Sequence, residues 1–436
     1  MQTSLETLGQ LERRLTMSVP IAQIETEIQQ RLTRLAKNAK VPGFRPGKVP
    51  MRMIAQQYGP QVRSDVISDA VQSTFADAIR EQNLRIAGQP RIEPKAEAAV
   101  PGLLEFSAVF EIYPEVKLGD LSGVVIERPQ TEVGPDDVRH TIDLLRRQRT
   151  RYEHAIRAAS AGDRVVVDFS GKIDGVEFPG GQASDFAIVL GEERMLPEFE
   201  SAVSGMSDGE TKAFALTFPA DYHGKDVAGK RAEFALTVKS VAAPVVPAVD
   251  ADFVTAFGIA SGDVDDLQAE IASNLRLELK RKIEAKVKEQ VFAALRDKAE
   301  FALPRSLVEL ETQNMIQRME SELRQQGTKA DDIKLSPEMF RAGAEGRVAL
   351  GLVLSEVVRA NSLNAKPEQV KALVQEAAQT YEQPEAVVRW HYEKPERLNE
   401  FESLAVEHNV VEWVLGRTKV VNTPATFAEL MGTART

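Results

Sequence analysis

The chain has 436 residues, of which 43% are hydrophobic and 27% are charged. At roughly 100–200 residues per domain, this length predicts about three domains, and the apolar fraction excludes wholesale disorder. The absence of cysteine excludes disulfides and thiolate sites. No segment approaches the roughly 18 consecutive apolar residues of a membrane helix, and residues 1–10 lack the pattern of a secretory signal. We therefore expect a cytoplasmic protein with no membrane partner.

The charge of the chain is acidic overall but uneven. There are 54 Lys and Arg against 65 Asp and Glu, a formal net charge of −11, which excludes a general nucleic-acid coat. Residues 31–52 nevertheless hold seven basic residues and no acidic one. They are Arg31, Arg34, Lys37, Lys40, Arg45, Lys48 and Arg52. A local basic face on an acidic protein indicates docking to one particular anionic surface.

The first 112 residues predict an α+β domain. Alternating apolar residues that end at Val19 predict a strand, and an apolar stripe with helical spacing predicts a helix that begins at Pro20. A second alternation over 104–112 predicts another strand.

Glycine and proline divide the region between these strands into further helices. A second helix is predicted from Pro50 to a break at Gly59-Pro60, and a third from Val62 onward. The loop over 42–50 joins the first two helices and contains two glycines and three prolines. Because it cannot continue either helix, we expect a shaped projection that carries part of the basic run.

The middle of the chain changes character twice. Residues 113–150 predict a connector that ends in a charged helix over 136–149. Strand-like runs at 164–169, 212–218 and 232–238, separated by Asp-Gly turns, then predict a small antiparallel β domain. Pro244 and Pro247 are predicted to mark its end.

From about residue 250 the chain is predicted to be almost entirely helical. Apolar residues recur at every fourth position from Leu267 to Leu295, and four residues advance about 400°, so this stripe winds around its helix. Either several elements contact such a stripe in turn, or part of it stays open. Proline near the first turn predicts further helices at Pro304, Pro337, Pro367, Pro384 and Pro395, with Ser336 as the N-cap of the second.

Familiar catalytic motifs are not found. Residues 224–231 resemble a phosphate-binding loop, but Arg231 stands where Ser or Thr would hold magnesium, and the segment does not open a helix. The five histidines are too far apart in sequence for a local zinc motif, and no G-x-S-x-G elbow occurs. We therefore expect any activity to need no cofactor, no metal and no covalent intermediate.

Two independent motifs indicate one family. The first is the loop GFRPGKVP at 43–50. The second is a series that opens with GDRVVVDFSG at 162–171, passes through DGVEF at 174–178 and MLPEFE at 195–200, and closes with FP at 218–219 and YHG at 222–224. This series resembles an FKBP-type peptidyl-prolyl isomerase domain, and the whole chain resembles the trigger factor family of bacterial chaperones.

The resemblance implies a multidomain α+β chain. The implied parts are an N-terminal ribosome-binding domain over 1–112, a connector over 113–150, an FKBP-like antiparallel β domain with a short helix over 151–243, and an all-helical chaperone domain over 244–436. The last part is expected to hold nascent and unfolded polypeptides. The protein is expected to be a monomer on the ribosome, and whether the free protein forms a homodimer stays open.

By the same resemblance, the basic loop docks at the large ribosomal subunit near the peptide exit, on protein and RNA. The implied docking residues are Gly43, Phe44, Arg45, Gly47 and Lys48. Cationic side chains suit phosphates and acidic patches, and Phe44 offers an apolar anchor. Pro46 stands where the family often has a basic residue, which removes one charge contact. The alternative is a solvated turn with incidental charge.

In the β domain, the resemblance implies a proline pocket lined by eight side chains. They are Phe169, Phe178, Phe186, Met195, Leu196, Phe199, Tyr222 and Phe234. Rotation about an X–Pro bond meets a barrier of about 18–20 kcal/mol, and an apolar cavity that fits the twisted amide lowers it without acid, base or metal. Tyr222 is expected to donate a hydrogen bond to the substrate carbonyl. The alternative is that these aromatic side chains only form the core of a small barrel.

Pro179 stands where the family commonly has an acidic residue, and Glu198 stands where it commonly has glycine. Glu198 is expected to crowd the rim of the pocket or to alter the local backbone geometry. Three functions therefore stay open: a ribosome-docked folding chaperone with isomerase activity, a free isomerase with helical partner-binding extensions, and a holdase with a weakly active isomerase domain.

Overall fold

The computed structural model describes residues 3–39, 44, 49–95, 102–192, 194–222, 224–326, 335–379, 381 and 383–432. The strands are β1 (Thr3–Thr7), β2 (Glu12–Pro20), β3 (Ile86–Pro94), β4 (Leu103–Ile112), β5 (Lys117–Leu118), β6 (Val125–Gln130), β7 (Arg151–His154), β8 (Arg164–Ile173), β9 (Val176–Val189), β10 (Thr211–Thr217), β11 (Arg231–Val245), β12 (Ala299–Glu300) and β13 (Lys419–Pro424). The helices are α1 (Ile21–Asn38), α2 (Met51–Glu81), α3 (Pro135–Gln148), α4 (Pro197–Val203), α5 (Ala251–Thr255), α6 (Val264–Asp297), α7 (Arg305–Gln325), α8 (Pro337–Asn361), α9 (Pro367–Ala378), α10 (Pro384–Tyr392), α11 (Asn399–Leu415) and α12 (Phe427–Met431).

The chain forms two compact units, each made of two stretches of sequence. The first unit comprises Met1–Arg128 and Ala285–Asn422, and the second comprises Pro129–Glu284 and Thr423–Thr436. Helix α6 contributes to both units.

The first unit contains a four-stranded antiparallel sheet in the order β1-β2-β4-β3. Leu15 and Met17 on β2 share one buried face with Phe106 and Phe110 on β4, as the period-2 pattern requires. The strands predicted around 11–19 and over 104–112 are confirmed. Strands β1 and β3 were not predicted.

Helix α1 follows Pro20 as predicted, but the predicted break at Gly59-Pro60 is wrong. Helix α2 runs without interruption from Met51 to Glu81 with Pro60 inside it. Ile54 before the proline and Val62 and Val66 after it are buried in one cluster with α1. This packing outweighs the lost amide donor, and Pro60 itself lies on the exposed side.

The helical segment largely follows the proline pattern. Pro304 caps α7, and helices α8, α9 and α10 each begin with a proline, which confirms those starts. At Pro395 a 3₁₀ turn, Pro395–Leu398, precedes α11 instead of an α-helix. Ser336 is the N-cap residue of α8, although its side chain makes no capping hydrogen bond. Strand β13 and helix α12 were not predicted.

The winding stripe of α6 is contacted by different elements along its length. Leu267 and Ile271 are buried in the second unit against residues of α3 and α5. Leu275 and Ile283 are half-buried, whereas Leu279 between them and Val291 nearer the C-terminal end are buried. No residue of the stripe from Leu267 to Leu295, a range that the structure describes throughout, is exposed, so the alternative that part of the stripe stays open is not met.

The second unit is built on a five-stranded antiparallel sheet. Its order is β10-β11-β8-β9, with β7 also paired to β11. The predicted small antiparallel domain is confirmed, and both residues of the Asp174-Gly175 turn are left-handed, as a tight hairpin between β8 and β9 requires. Strand β9 was not predicted. Pro244 does not end the sheet, because β11 continues to Val245 and pairs there with β7.

Candidate functional site

An apolar face of this sheet is covered by the short helix α4. Alternate residues point to one face of a strand, which brings Val167 and Phe169 on β8 together with Phe234 and Leu236 on β11. On α4, Phe199 and Val203 are four residues apart, so both face the sheet, and Phe199 is 2% exposed.

Phe169 lies at the centre of one group of rings. Its ring centroid is 5.3 Å from that of Phe199, 5.7 Å from that of Phe186 and 6.0 Å from that of Phe234. The first two contacts are edge-to-face, the arrangement that aromatic quadrupoles favour. Phe186 is 38% exposed, so it forms the rim of this group.

A second group of rings continues from Phe234. Phe178 lies 6.2 Å from Phe234 and 5.9 Å from Phe218, and Phe218 lies 4.9 Å from Tyr222. Tyr222 is half-buried. The two groups therefore form one continuous cluster, called here the aromatic cluster, whose rings belong to residues 169, 178, 186, 199, 214, 218, 222 and 234.

Met195 and Leu196 also pack against this core and are half-buried. Leu196 is the N-cap residue of α4, so Met195 and Leu196 directly precede the helix that carries Phe199. The structure thus brings all eight side chains that the sequence singled out to one apolar cluster. Their part in catalysis stays a prediction.

Sequence reasoning missed Phe214 and Phe218 as members. Phe214 is directly opposite Phe234 in the β10–β11 register, and their rings stack at 5.7 Å. Phe214 and Leu216 alternate along β10, and this pattern predicts a strand. It does not predict that the strand pairs with β11. The contact depends on the pairing register of β10 with β11, and no local sequence pattern shows that register.

Two glycines leave room for the rings. A Cβ atom at Gly171 would lie 2.5 Å from the ring of Phe234, and one at Gly181 would lie 2.9 Å from the ring of Phe178. Both distances are too short for non-bonded carbon atoms. Gly171 on β8 and Gly181 on β9 therefore act by letting the aromatic rings lie close to the backbone.

An ion pair between half-exposed Arg157 and buried Asp163 lies just before β8. The Asp163 side chain accepts hydrogen bonds from both terminal nitrogens of Arg157, at 2.6 and 2.8 Å, and from the amide of Ser160 at 2.9 Å. Asp163 is fully buried. Burial by itself raises the pKa of Asp163, but these hydrogen bonds outweigh it and hold the pKa below its ordinary value.

In the N-terminal loop, the structure places one predicted docking residue. Phe44 is 39% exposed, and the large apolar side chains of Leu35, Met51 and Met53 are also exposed. Val49, at the end of the loop, is buried and joins the core of α1 and α2. Gly43, Arg45, Gly47 and Lys48 lie outside the described residues.

Neither a metal site nor a membrane-spanning helix is found in the part of the chain that the structure describes. No group of three or more His, Asp or Glu side chains is arranged to hold a metal ion. No helix in those residues has the length and apolar character to cross a membrane.

Comparison with known proteins covers the chain in three parts. The family model for bacterial trigger factor protein (TF) matches residues 1–145, that for FKBP-type peptidyl-prolyl cis-trans isomerase matches residues 156–239, and that for the bacterial trigger factor C-terminus matches residues 263–416.

Curated relatives match over the full length. The trigger factor of Aromatoleum aromaticum is 53% identical over 434 residues, which covers 100% of both chains, and that of Dechloromonas aromatica is 51% identical over 432 residues, 99% of both. A solved structure of a trigger factor chaperone aligns with 95% of this chain and 99% of its own, at 16% identity and a TM-score of 0.49.

Proposed function

The chain belongs to the trigger factor family, and from this we propose that the aromatic cluster is its proline-binding site and that the loop at 43–48 is its ribosome-docking site. The chain is a chaperone with a ribosome-binding N-terminal domain and an FKBP-type peptidyl-prolyl isomerase domain. The finer assignments below concern which residues carry these activities.

The observation that carries the isomerase site is the continuity of the aromatic cluster from the rim residue Phe186 through buried Phe199 to half-buried Tyr222. Water favours the planar, charge-separated amide, so an apolar surface that accepts the twisted X–Pro amide lowers the barrier to rotation. In this proposal the ring of the substrate proline packs on the phenylalanines. The Tyr222 hydroxyl donates a hydrogen bond to a substrate carbonyl.

The two departures from the family pattern do not fill this site. Pro179 and Glu198 are both exposed, and Glu198 lies in the first turn of α4 next to buried Phe199. A glutamate that points to solvent leaves the apolar surface free. This exposure favours an active isomerase over a holdase whose isomerase domain is weakly active.

For the docking loop, the exposed phenylalanine is the supporting observation. Phe44 offers an apolar anchor, while Arg45 and Lys48 supply cations for ribosomal RNA phosphates or acidic protein patches. The partners in this proposal are the large ribosomal subunit near the peptide exit and the nascent chains that leave it. Such a partner implies that the protein works in the cytoplasm, as a monomer while bound.

The proposed domain limits are 1–112, 113–150, 151–243 and 244–436. The third is supported by the five-stranded sheet, whose strands begin at Arg151 and end at Val245. The first is supported by the sheet of β1 to β4, which ends at Ile112.

Co-sedimentation with ribosomes tests the docking site. The double variant Phe44→Ala/Arg45→Ala is expected to weaken ribosome binding at least about tenfold, because it removes the anchor and one cation together. Its isomerase activity on a proline peptide is expected to stay at the level of the wild type, since the aromatic cluster is untouched.

The matched control removes an exposed aromatic residue and an arginine elsewhere. Trp390 is 50% exposed with the Arg397 guanidinium 3.8 Å from its ring centre, so Trp390→Ala/Arg397→Ala makes the same kind of change in the helical segment. Ribosome binding should survive in this control. If the Phe44→Ala/Arg45→Ala variant binds ribosomes as well as the wild type does, the assignment of the docking loop is wrong.

A further inference from the structure

Strand β9 contains an irregularity beside the aromatic cluster. Phe186 pairs with Val167 on β8, and Ala183 pairs with Phe169. One β8 residue lies between these paired positions, whereas two β9 residues, 184 and 185, lie between theirs. This two-against-one arrangement is a β-bulge.

The bulge decides which face of the sheet Phe186 occupies. In an unbroken strand, residues three apart point to opposite faces, so a strand with Ala183 on the inner face would turn Phe186 outward. The extra residue returns Phe186 to the inner face, where its ring meets Phe169 at 5.7 Å. The rim of the aromatic cluster therefore depends on the bulge.

Three charged side chains surround the bulge. Asp185 has a left-handed backbone with φ 53°, which costs energy for a residue other than glycine. Its amide donates a hydrogen bond of 2.7 Å to Oδ1 of Asp168, the residue opposite the bulge. The Nζ atom of Lys239, on β11, lies 2.5 Å from Oδ1 of Asp185 and 3.7 Å from Oδ2 of Asp168.

These contacts are suited to holding the backbone conformation of the bulge. The hydrogen bond to Asp185 raises the pKa of Lys239, with a smaller contribution from the charge of Asp168, so the ammonium group stays charged. All three side chains are at least 40% exposed, and exposed ion pairs contribute little to overall stability because water screens them. Holding one backbone conformation needs far less energy than holding the fold.

We propose that Asp168, Asp185 and Lys239 are positioning residues for prolyl isomerisation, which hold the bulge that places Phe186 at the rim of the aromatic cluster. This inference rests on the proposed function, since it takes the aromatic cluster to be the proline-binding site. Phe186 is the residue that contacts the substrate, and the three charged residues act through it.

The test measures kcat/KM of the full chain on a proline tetrapeptide. Asp168→Ala removes the acceptor for the Asp185 amide, and we expect kcat/KM to fall about fivefold as Phe186 moves, with the denaturation midpoint unchanged. Lys239→Met is expected to lower kcat/KM in the same direction and by less. If Asp168→Ala does not fold, Lys239→Met takes its place in every comparison.

Rescue by glycine separates positioning from a merely structural role. Glycine adopts a left-handed conformation without strain and is the residue that such bulges favour. Adding Asp185→Gly to Asp168→Ala is therefore expected to restore kcat/KM to within about twofold of the wild type. A slow Asp168→Ala variant that Asp185→Gly does not rescue would overturn the proposal.

Lys172→Met is the matched control. Lys172 is an exposed lysine on β8, four residues beyond Asp168 in the chain, and its own partner is Glu177 at 3.9 Å. It does not touch the bulge, so kcat/KM is expected to stay at the wild-type value. An equal loss in this control would overturn the proposal, because removal of any lysine from the sheet would then have the same effect.

Phe186→Ala distinguishes failure of this inference from failure of the proposed function. If Phe186→Ala is slow while Asp168→Ala and Lys239→Met match the wild type, the positioning role is overturned and the proline-binding site stands. If both Phe186→Ala and Phe199→Ala match the wild type, the assignment of the aromatic cluster itself is overturned.

Discussion

The aromatic residues of the five-stranded sheet and those of the C-terminal helices are arranged in opposite ways. Around the sheet, each ring contacts several other rings, and Phe234 on β11 and Phe199 on the covering helix α4 are buried. In helix α10, Trp390 and Tyr392 are about half exposed, and the Trp390 ring contacts the Arg397 guanidinium and the ring of His391. Not one residue of α10, all of which the structure describes, is buried.

The difference follows from the period of each element and suits different ligands. A strand places every second side chain on one face, so neighbouring strands bring their phenylalanines to a single rigid surface. Such a surface suits a single kind of ligand, here the X–Pro peptide bond. The helices leave separate exposed apolar side chains, such as Met339 at 68% exposed, which suit weak contacts with unfolded chains of many sequences.

The largest effect is expected from the centre of the aromatic cluster. Phe199→Ala removes a fully buried ring, which should cost about 3–5 kcal/mol of unfolding free energy and lower kcat/KM on a proline peptide at least about tenfold. Phe199→Leu keeps most of the volume, and we expect it to stay folded but slow. Peptide isomerisation and urea denaturation measure the two effects.

A helical phenylalanine supplies the control for that comparison. Phe401 lies on α11 with its ring 5.0 Å from that of His391. Phe401→Ala should leave kcat/KM unchanged. A Phe199→Leu variant with wild-type kcat/KM would show that the ring at this position is not part of the proline-binding site.

An intermediate effect is expected at the buried carboxylate of Asp163 in the isomerase domain. Asp163→Asn removes the charged acceptor of the hydrogen bonds from Arg157 and Ser160 and should cost about 1.5–3 kcal/mol of unfolding free energy at pH 7. Because the pKa of Asp163 is lowered on folding, its stabilisation is present above the unfolded-state pKa of about 3.9 and is lost as the pH falls through the folded value. Denaturation of wild type and variant from pH 7 down to pH 3 should therefore show the two curves converging.

Asp120→Asn is the exposed counterpart of that variant. A hydrogen bond from the Ser122 hydroxyl lowers the pKa of Asp120, but the carboxylate is exposed, so water compensates for the loss. We expect no measurable change in the denaturation midpoint. Equal destabilisation by the two substitutions would contradict the view that burial gives the Asp163 pair its importance.

The smallest effect is expected at a single exposed aromatic residue of the helices. Trp390→Ala removes one cation–π contact, so unfolding free energy should change by less than about 1 kcal/mol and isomerase activity should not change. Suppression of aggregation of a proline-free client should fall by less than about twofold, because many weak sites share the binding. Complete loss of suppression would show that the helices carry one dominant site instead.

Local patterns in the sequence predicted much of this fold. Alternation identified β2 and β4, strand-like runs identified β8, β10 and β11, and proline at the first turn identified the starts of α7 to α10. These signals are local because each depends on residues within one element. The motif residues also predicted the members of the aromatic cluster, apart from Phe214 and Phe218.

Two of the errors have different physical causes. Pro60 was expected to end a helix, but burial of Ile54 and Val66 against α1 keeps the helix continuous. Strand β9 was not predicted because its side chains are largely exposed and its alternation is broken by the bulge.

The amino-acid sequence by itself determined the family, many of the helices and strands, and the residue types available at the site, because all of these depend on neighbours along the chain. Tertiary structure decided that Phe214 lies on Phe234 and that Phe186 faces inward. Both depend on strand register, which arises from hydrogen bonds between segments far apart in sequence and leaves no local pattern from which it can be read.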